Sequence, residues 1–286
     1  MKQKKLYNVA VLGATGAVGQ EMIKVLAERK FPIGELRLLA SARSAGKAVR
    51  YEGREVVIQE AYDAAFEGMD IVLGAAENDI AKRFAPAIQA AGAVFVDNSS
   101  AFRLDPDVPL VVPEINAEDA YTQKKGIIAN PNCSTIITLM ALAPIARISS
   151  IETIVASTYQ AVSGAGANGL TELEAQAQAY PKGEPLTANA FPHQILFNLL
   201  PRIGGIGENG YSSEEMKLQN EGRKILHLPE LRVTCTCVRV PVMRSHSISA
   251  TFTTKRPVSV EEARAAIAAA EGVQLVDNPN NDVYPM

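Results

Sequence analysis

The run Val11-Leu12-Gly13-Ala14-Thr15-Gly16-Ala17-Val18-Gly19 follows a short apolar stretch, residues 9–12, and opens a helical one, residues 21–27. Strand, glycine turn, then helix is an order that few folds accommodate. Gly13 permits the tight turn, Gly16 lets backbone amides approach a pyrophosphate, and Gly19 lets the helix close onto the strand, as a dinucleotide-binding unit requires. Further short apolar runs at 36–40, 56–58, 71–73, 94–96 and 127–129 alternate with helical stretches. This repetition predicts an α/β fold whose N-terminal domain, residues 1–132, is a Rossmann-type parallel sheet with helices on both faces.

Beyond residue 132 the texture changes. Residues 231–240 and 245–254 alternate apolar and polar side chains, which predicts strands of a half-exposed mixed or antiparallel sheet. The second domain, 133–286, is therefore expected to be α+β. The Gly/Pro-rich stretch 180–210 reads as an irregular loop crossed by a short helix at 194–200, and 273–276 reads as a strand. Cys235 and Cys237 fall on one strand face; with no third cysteine or histidine cluster nearby, packing explains them better than a metal hook, and no metal centre is expected.

A chain of 286 residues with 47% apolar and 21% charged residues suits a soluble, two-domain globular protein. The net charge of −3 and the absence of a Lys/Arg-rich block argue against nucleic acid or an anionic membrane as partner. Met1-Lys2-Gln3-Lys4-Lys5 is basic but leads straight into a strand rather than a signal peptide's apolar core, and no run of 18 apolar residues follows. Three cysteines, an odd number, do not make a disulfide framework. The expected location is the cytoplasm.

Two features carry chemistry. In Asn130-Pro131-Asn132-Cys133-Ser134-Thr135, Pro131 stops a strand and Asn132 or Ser134 can cap the helix that follows. Cys133 would then lie beside unpaired helix N–H groups that favour thiolate over thiol. At the end of the second strand, where an NAD site places a carboxylate for the ribose 2′-hydroxyl, the chain reads Ala40-Ser41-Ala42-Arg43-Ser44-Ala45-Gly46-Lys47. Ser41, Arg43, Ser44 and Lys47 suit a 2′-phosphate instead, so NADP(H) is favoured over NAD. A nicotinamide cofactor beside a thiolate points to aldehyde oxidation through a thioester, or reduction of an activated acyl group. The base would be one of three histidines, His193, His227 or His246. Spacing does not choose among them; His246, at a turn between two strands, is the best placed.

These motifs resemble aspartate-semialdehyde dehydrogenase. The resemblance runs in order from the Gly13 turn through Asn98-Ser99-Ser100-Ala101-Phe102-Arg103, Val112-Pro113-Glu114-Ile115-Asn116, Asn130 to Ser134, Ser157 to Gly166, Glu214-Glu215-Met216-Lys217 and Arg239-Val240-Pro241-Val242. It implies NADPH-dependent reduction of L-4-aspartyl phosphate to aspartate semialdehyde and phosphate, reversibly, in the synthesis of lysine, threonine, methionine, isoleucine and diaminopimelate. Cys133 is implied as nucleophile, His246 as acid/base and Gln160 as orienting the acyl group. Arg239 would clamp the substrate's α-carboxylate, Glu214 its ammonium, and Arg103 and Lys217 its phosphate, with Asn98 and Asn132 nearby. Gly13, Ala14, Thr15, Gly16, Ala17, Val18, Ser41, Arg43, Ser44, Ser163 and Gly164 would bind the cofactor. A homodimer built by the second domain, or a tetramer, is implied as well.

Without the resemblance, Glu214 and Lys217 would read as a surface ion pair three apart on a helix, and Gln160 as a strand-end glutamine facing water. Two departures stand out. Ser245 precedes His246 where the family usually has glycine, and the family's C-terminal helix returning to the cofactor domain has no counterpart before Met286, as a fragment would show. Rival readings are N-acetyl-glutamyl-phosphate reductase, a phosphorylating dehydrogenase of the glyceraldehyde-phosphate type, and a non-catalytic NADP-binding paralogue.

Overall fold

The structure, a computed structural model, describes residues 5–286; the basic run Met1–Lys4 lies outside the described residues. Two compact units form, one of residues up to Val111 with Glu118–Pro131, the other of Val112–Ala117 with Asn132–Met286. The sequence division after residue 132 thus falls one residue earlier, and Val112–Ala117 joins the second unit.

In the first unit, β1 (Tyr7–Leu12), α1 (Ala17–Glu28), β2 (Ile33–Ala40), β3 (Ala48–Tyr51), β4 (Arg54–Glu60), β5 (Ile71–Gly74), α2 (Asn78–Ala90), β6 (Val94–Asp97) and β7 (Ile127–Ala129) build a seven-stranded sheet. Its order is β3-β4-β2-β1-β5-β6-β7, parallel except for β3 against β4. The central strand β1 is apolar on both sides, with Val9, Ala10, Val11 and Leu12 all buried, because layers cover both faces.

The expected helix after every strand is not found. Only α1 and α2 are full crossovers; 3-10 turns at Ala42–Ser44 and Asp63–Phe66 follow β2 and β4 instead. The strand β3 was not legible: it is a short edge with one buried residue, Tyr51, joined to β4 through Glu52 and Gly53, whose φ values of +45° and +82° make a two-residue hairpin turn.

The second unit contains α3 (Pro113–Asn116), α4 (Cys133–Ala146), β8 (Ile151–Gln160), α5 (Gly166–Ala179), α6 (Ser213–Ile225), β9 (Arg232–Arg239), β10 (Ser247–Thr254) and α7 (Val260–Ala268). Its sheet is mixed, in the order β10-β8-β9, with β9 parallel and β10 antiparallel to β8. Alternation along β8 buries Ile154, Ala156, Thr158 and Gln160. Leu142 of α4 and Leu218 of α6 share a core with Ile154, Ala156, Cys235 and Cys237. The two sulfurs lie 3.7 Å apart in that core.

Two expected elements are absent. Residues 194–200 form no helix: Phe197 adopts φ +58°, and the Ile195 and Leu196 amides donate to Oε1 of Gln176 on α5 instead of to a helical turn. Residues 273–276 form no strand, because no neighbouring strand pairs with them. Among the described residues no helix is long and apolar enough to cross a membrane, and no group of three or more His, Cys, Asp and Glu could hold a metal.

Candidate active site

The turn between β1 and α1 shapes a cleft in the first unit. Gly13 has φ +89°, and a Cβ there would lie 2.7 Å from the Ala75 carbonyl oxygen. The amides of Gly13 and Ala14 donate to Leu39 O, and that of Gly16 to Gly13 O. Gly16 caps α1 without a side-chain acceptor, and no acid stands in the first turn, so the amides of Ala17 and Val18 face no competing anion. This suits a pyrophosphate.

The adjoining cavity of about 290 Å³ is lined by Gly13, Thr15, Ser41, Glu60, Arg83 and Phe84 among others. Ser41 and Arg43 are exposed; Ser44, expected beside them, is buried. Sequence reasoning missed Glu60 and Arg83. Glu60 ends β4 in register with Ala40, so strand pairing brings a carboxylate to the place where β2 lacks one.

In the same unit, Arg103 is buried and its guanidinium donates to the carbonyls of Ser99 and Asn98 at 3.1 and 2.9 Å. The Asn98 side chain accepts from Asn130 Nδ2 at 2.7 Å. Asp97 supports this loop by accepting from Ser99 Oγ at 2.6 Å, and burial raises its carboxyl above the ordinary value despite those bonds and Arg103.

In the second unit, strand register gathers the remaining residues. Gln160 and Arg239 are paired at the ends of β8 and β9, and His246 stands immediately before β10, whose first residue pairs with Tyr159. Gln160 is 1% exposed rather than facing water. It accepts from Thr158 Oγ1 at 2.9 Å and donates to Glu214 Oε1 at 3.1 Å. Arg239 is buried, donates to Ala161 O at 2.8 Å, and lies over the Phe191 ring at 6.0 Å. Gly164 fits against both: a Cβ there would lie 2.6 Å from Arg239 Nη1 and 3.5 Å from His246 Cε1.

His246 Nδ1 accepts the Ala161 N–H at 3.0 Å, which puts the neutral ring's proton on Nε2. Burial, then the Arg239 charge, lower its pKa; Glu214 and a Ser245 backbone bond oppose them without prevailing.

The helix α6 supplies the acid and the lysine. Glu214, buried, meets Lys217 Nζ at 2.7 Å through Oε2, while Oε1 takes Asn132 Nδ2 at 2.9 Å. Burial pushes its carboxyl up, but Lys217 and the two amides outweigh that, leaving it below the ordinary value. The pair is no surface ion pair.

Asn132 caps α4, its Oδ1 accepting from Ser134 N and Thr135 N at 3.0 and 3.3 Å. Cys133 is the exposed first residue of that helix. Its thiol nevertheless lies above the ordinary value, because protein crowds the sulfur and Glu214 adds negative charge; Ser134 bonds and Lys217 pull the other way and lose. The expected thiolate at rest is thereby corrected. Crowding and Glu214 outweigh the helix N-terminus.

The semialdehyde dehydrogenase NAD binding domain matches residues 8–123, and the semialdehyde dehydrogenase dimerisation domain matches residues 142–286. An aspartate-semialdehyde dehydrogenase of Aquifex aeolicus is 49% identical over 283 residues, 98% of this chain and 83% of that protein. The chain belongs to the aspartate-semialdehyde dehydrogenase family. Among solved aspartate-semialdehyde dehydrogenases, that of Vibrio cholerae (II) complexed with ASA has a TM-score of 0.92 at 43% identity, covering 94% of this chain and 80% of that one. The Candida albicans aspartate-semialdehyde dehydrogenase with NADP has a TM-score of 0.69 at 27% identity, covering 93% and 77%.

Membership makes the chain an oxidoreductase of amino-acid biosynthesis that takes a nicotinamide cofactor. Within the chain, Asn132, Cys133, Gln160, Glu214, Lys217, Arg239 and His246 belong to one unit, and Asn98 and Arg103 to the other. Ser163 and Gly164, expected at the cofactor, also lie in the second unit, where Gly164 adjoins Arg239 and His246.

Proposed function

We propose that this chain reduces L-4-aspartyl phosphate to L-aspartate 4-semialdehyde and phosphate, reversibly, through a thioester on Cys133, in the route to lysine, threonine, methionine, isoleucine and diaminopimelate. One observation carries this reading: a carboxylate binder and an ammonium binder, Arg239 and Glu214, share a cluster with a neutral imidazole, and Glu214 acts on the exposed Cys133. Such a set fits an amino acid whose side chain carries the reactive acyl group.

Arg239, held at Ala161 O and over the Phe191 ring, presents a fixed guanidinium to the α-carboxylate. The substrate's ammonium competes with Lys217 for Glu214 and leaves the lysine to the phosphate. Neutralising Glu214 removes a charge that raises the Cys133 pKa, so substrate itself favours the thiolate.

The sulfur attacks the acyl carbon and expels phosphate, forming the thioester. NADPH, held at the uncapped α1 terminus, would supply the hydride that reduces the thioester carbonyl. His246 donates an Nε2–H hydrogen bond to the resulting tetrahedral oxyanion, which collapses as the C–S bond breaks, releasing aldehyde and thiolate.

NADP preference is supported by Ser41 and Arg43 after β2, and the cleft's uncapped α1 terminus fits a dinucleotide. Glu60 on the cleft wall favours NAD as the second reading. The homodimer is supported by the match to a dimerisation domain.

The test is oxidation of L-aspartate semialdehyde, followed as reduced nicotinamide absorbance with NADP or NAD, with and without phosphate. Phosphate-dependent, NADP-preferring turnover that vanishes in Cys133→Ala, with NADP binding retained, is the expected result. Turnover surviving in Cys133→Ala would remove the thioester, and equal use of NAD would remove the cofactor preference.

A further inference from the structure

Glu221 takes no part in the steps above, yet it is only 2% exposed. It lies seven residues after Glu214 on α6, so the two carboxylates share a helix face about 10 Å apart. Oε2 of Glu221 accepts the backbone N–H of Asn132 at 2.7 Å. A buried carboxylate is costly, and a neutral acceptor would satisfy one amide; what the charge adds is a shorter, stronger bond.

We propose that Glu221 is a positioning residue that pins the residue before Cys133 and so fixes the nucleophile's helix terminus. The proposal rests on the reading of Cys133 as nucleophile. An N-cap's own N–H points out of its helix and has no helical partner. Here Glu221 takes it, while the Asn132 side chain caps α4 through Oδ1 and donates to Glu214 through Nδ2. Every polar atom of the Asn132 side chain is thus engaged, and α6 grips the α4 terminus at two points.

The two points differ in duty. Glu214 also meets Lys217 and Gln160 and would receive the substrate's ammonium, so its hold on Asn132 changes during a catalytic cycle. Glu221 touches the backbone and can keep Cys133 in place while Glu214 exchanges partners.

The experiment compares Glu221→Leu and Glu221→Gln with the unaltered chain. Alkylation of Cys133 by iodoacetamide is followed across pH, Cys235 and Cys237 being buried, alongside amide hydrogen exchange of a peptide spanning 130–136 and turnover. Glu221→Leu should lower the limiting alkylation rate and kcat at least 10-fold, with a much smaller change in KM, and deprotect 130–136 while peptides of β8 stay protected. Glu221→Gln keeps an acceptor and should stay within about threefold. Wild-type alkylation and exchange in Glu221→Leu, or Glu221→Gln as damaged as Glu221→Leu, would overturn the proposal. Failure of the nucleophile reading would show separately, as turnover surviving in Cys133→Ala.

Discussion

Two opposite charges act on the Cys133 sulfur, and removing either should move its titration in a known direction. Glu214 raises the thiol pKa and Lys217 lowers it, on top of the upward push from crowding. Iodoacetamide alkylation without substrate should therefore have its midpoint above the ordinary thiol value of 9.0. Glu214→Gln should move that midpoint down and Lys217→Ala should move it up. Equal midpoints in all three chains would mean that neither charge reaches the sulfur. Ser245 offers a second residue-scale check. It holds φ +74°, a left-handed conformation that costs a non-glycine residue about 1 kcal/mol, just before His246. Ser245→Gly relieves that strain and should raise Tm by a few degrees, whereas a lower Tm would show that the serine side chain earns its place.

Among the elements, α5 anchors a loop. Gln176 is 1% exposed and ties the 187–200 loop to the helix: Nε2 donates to Thr187 O at 2.8 Å, and Oε1 takes the Ile195 and Leu196 amides at 3.2 and 2.9 Å. Gln176→Leu leaves those backbone groups without their acceptor or donor in a dry setting, which should cost about 3 kcal/mol in denaturant unfolding. A loss under about 1 kcal/mol would mean that the loop finds other partners. The same loop shows where sequence reasoning stops. Residues 194–200 carry a helical pattern, but a through-space glutamine claims their amides, and no local pattern encodes that. Buried strands such as β1 were legible because both their faces are apolar. The edge strand β3 was not, since only one of its four residues is buried and its pairing depends on a turn. In the site, Cys133 and His246 were legible as rare residue types beside turns. Glu221 and Glu60 were not, because a glutamate on a polar helix or at a strand end looks like any solvated one until a distant residue meets it.

At the scale of the whole molecule, the second unit's sheet has only one face covered by its own helices. Outward-facing positions on β8 are Thr153, Val155, Ser157 and Tyr159, in register with Thr253, Thr251, Ser249 and Ser247 of β10 and with Arg232, Thr234, Thr236 and Val238 of β9. Arg232 alone among these is charged. Val155 is 53% and Tyr159 45% exposed within the single chain. A solvated sheet face normally carries charges, which also block edge-to-edge and face-to-face association. A flat face of threonine, serine, valine and tyrosine suits burial against an identical face about a two-fold axis, where each side chain meets its own symmetry-related set. The match of residues 142–286 to a dimerisation domain agrees with that chemistry. Val155→Glu places a carboxylate in the middle of the face, and across a two-fold axis it does so on both sides at once. Within one protomer the change is a surface substitution, worth within about 0.5 kcal/mol of folding stability. The unaltered chain should therefore run at twice its monomer mass in light scattering, and Val155→Glu should run at the monomer mass with its NADP affinity intact. A Val155→Glu chain that stays dimeric would move the interface off this sheet face.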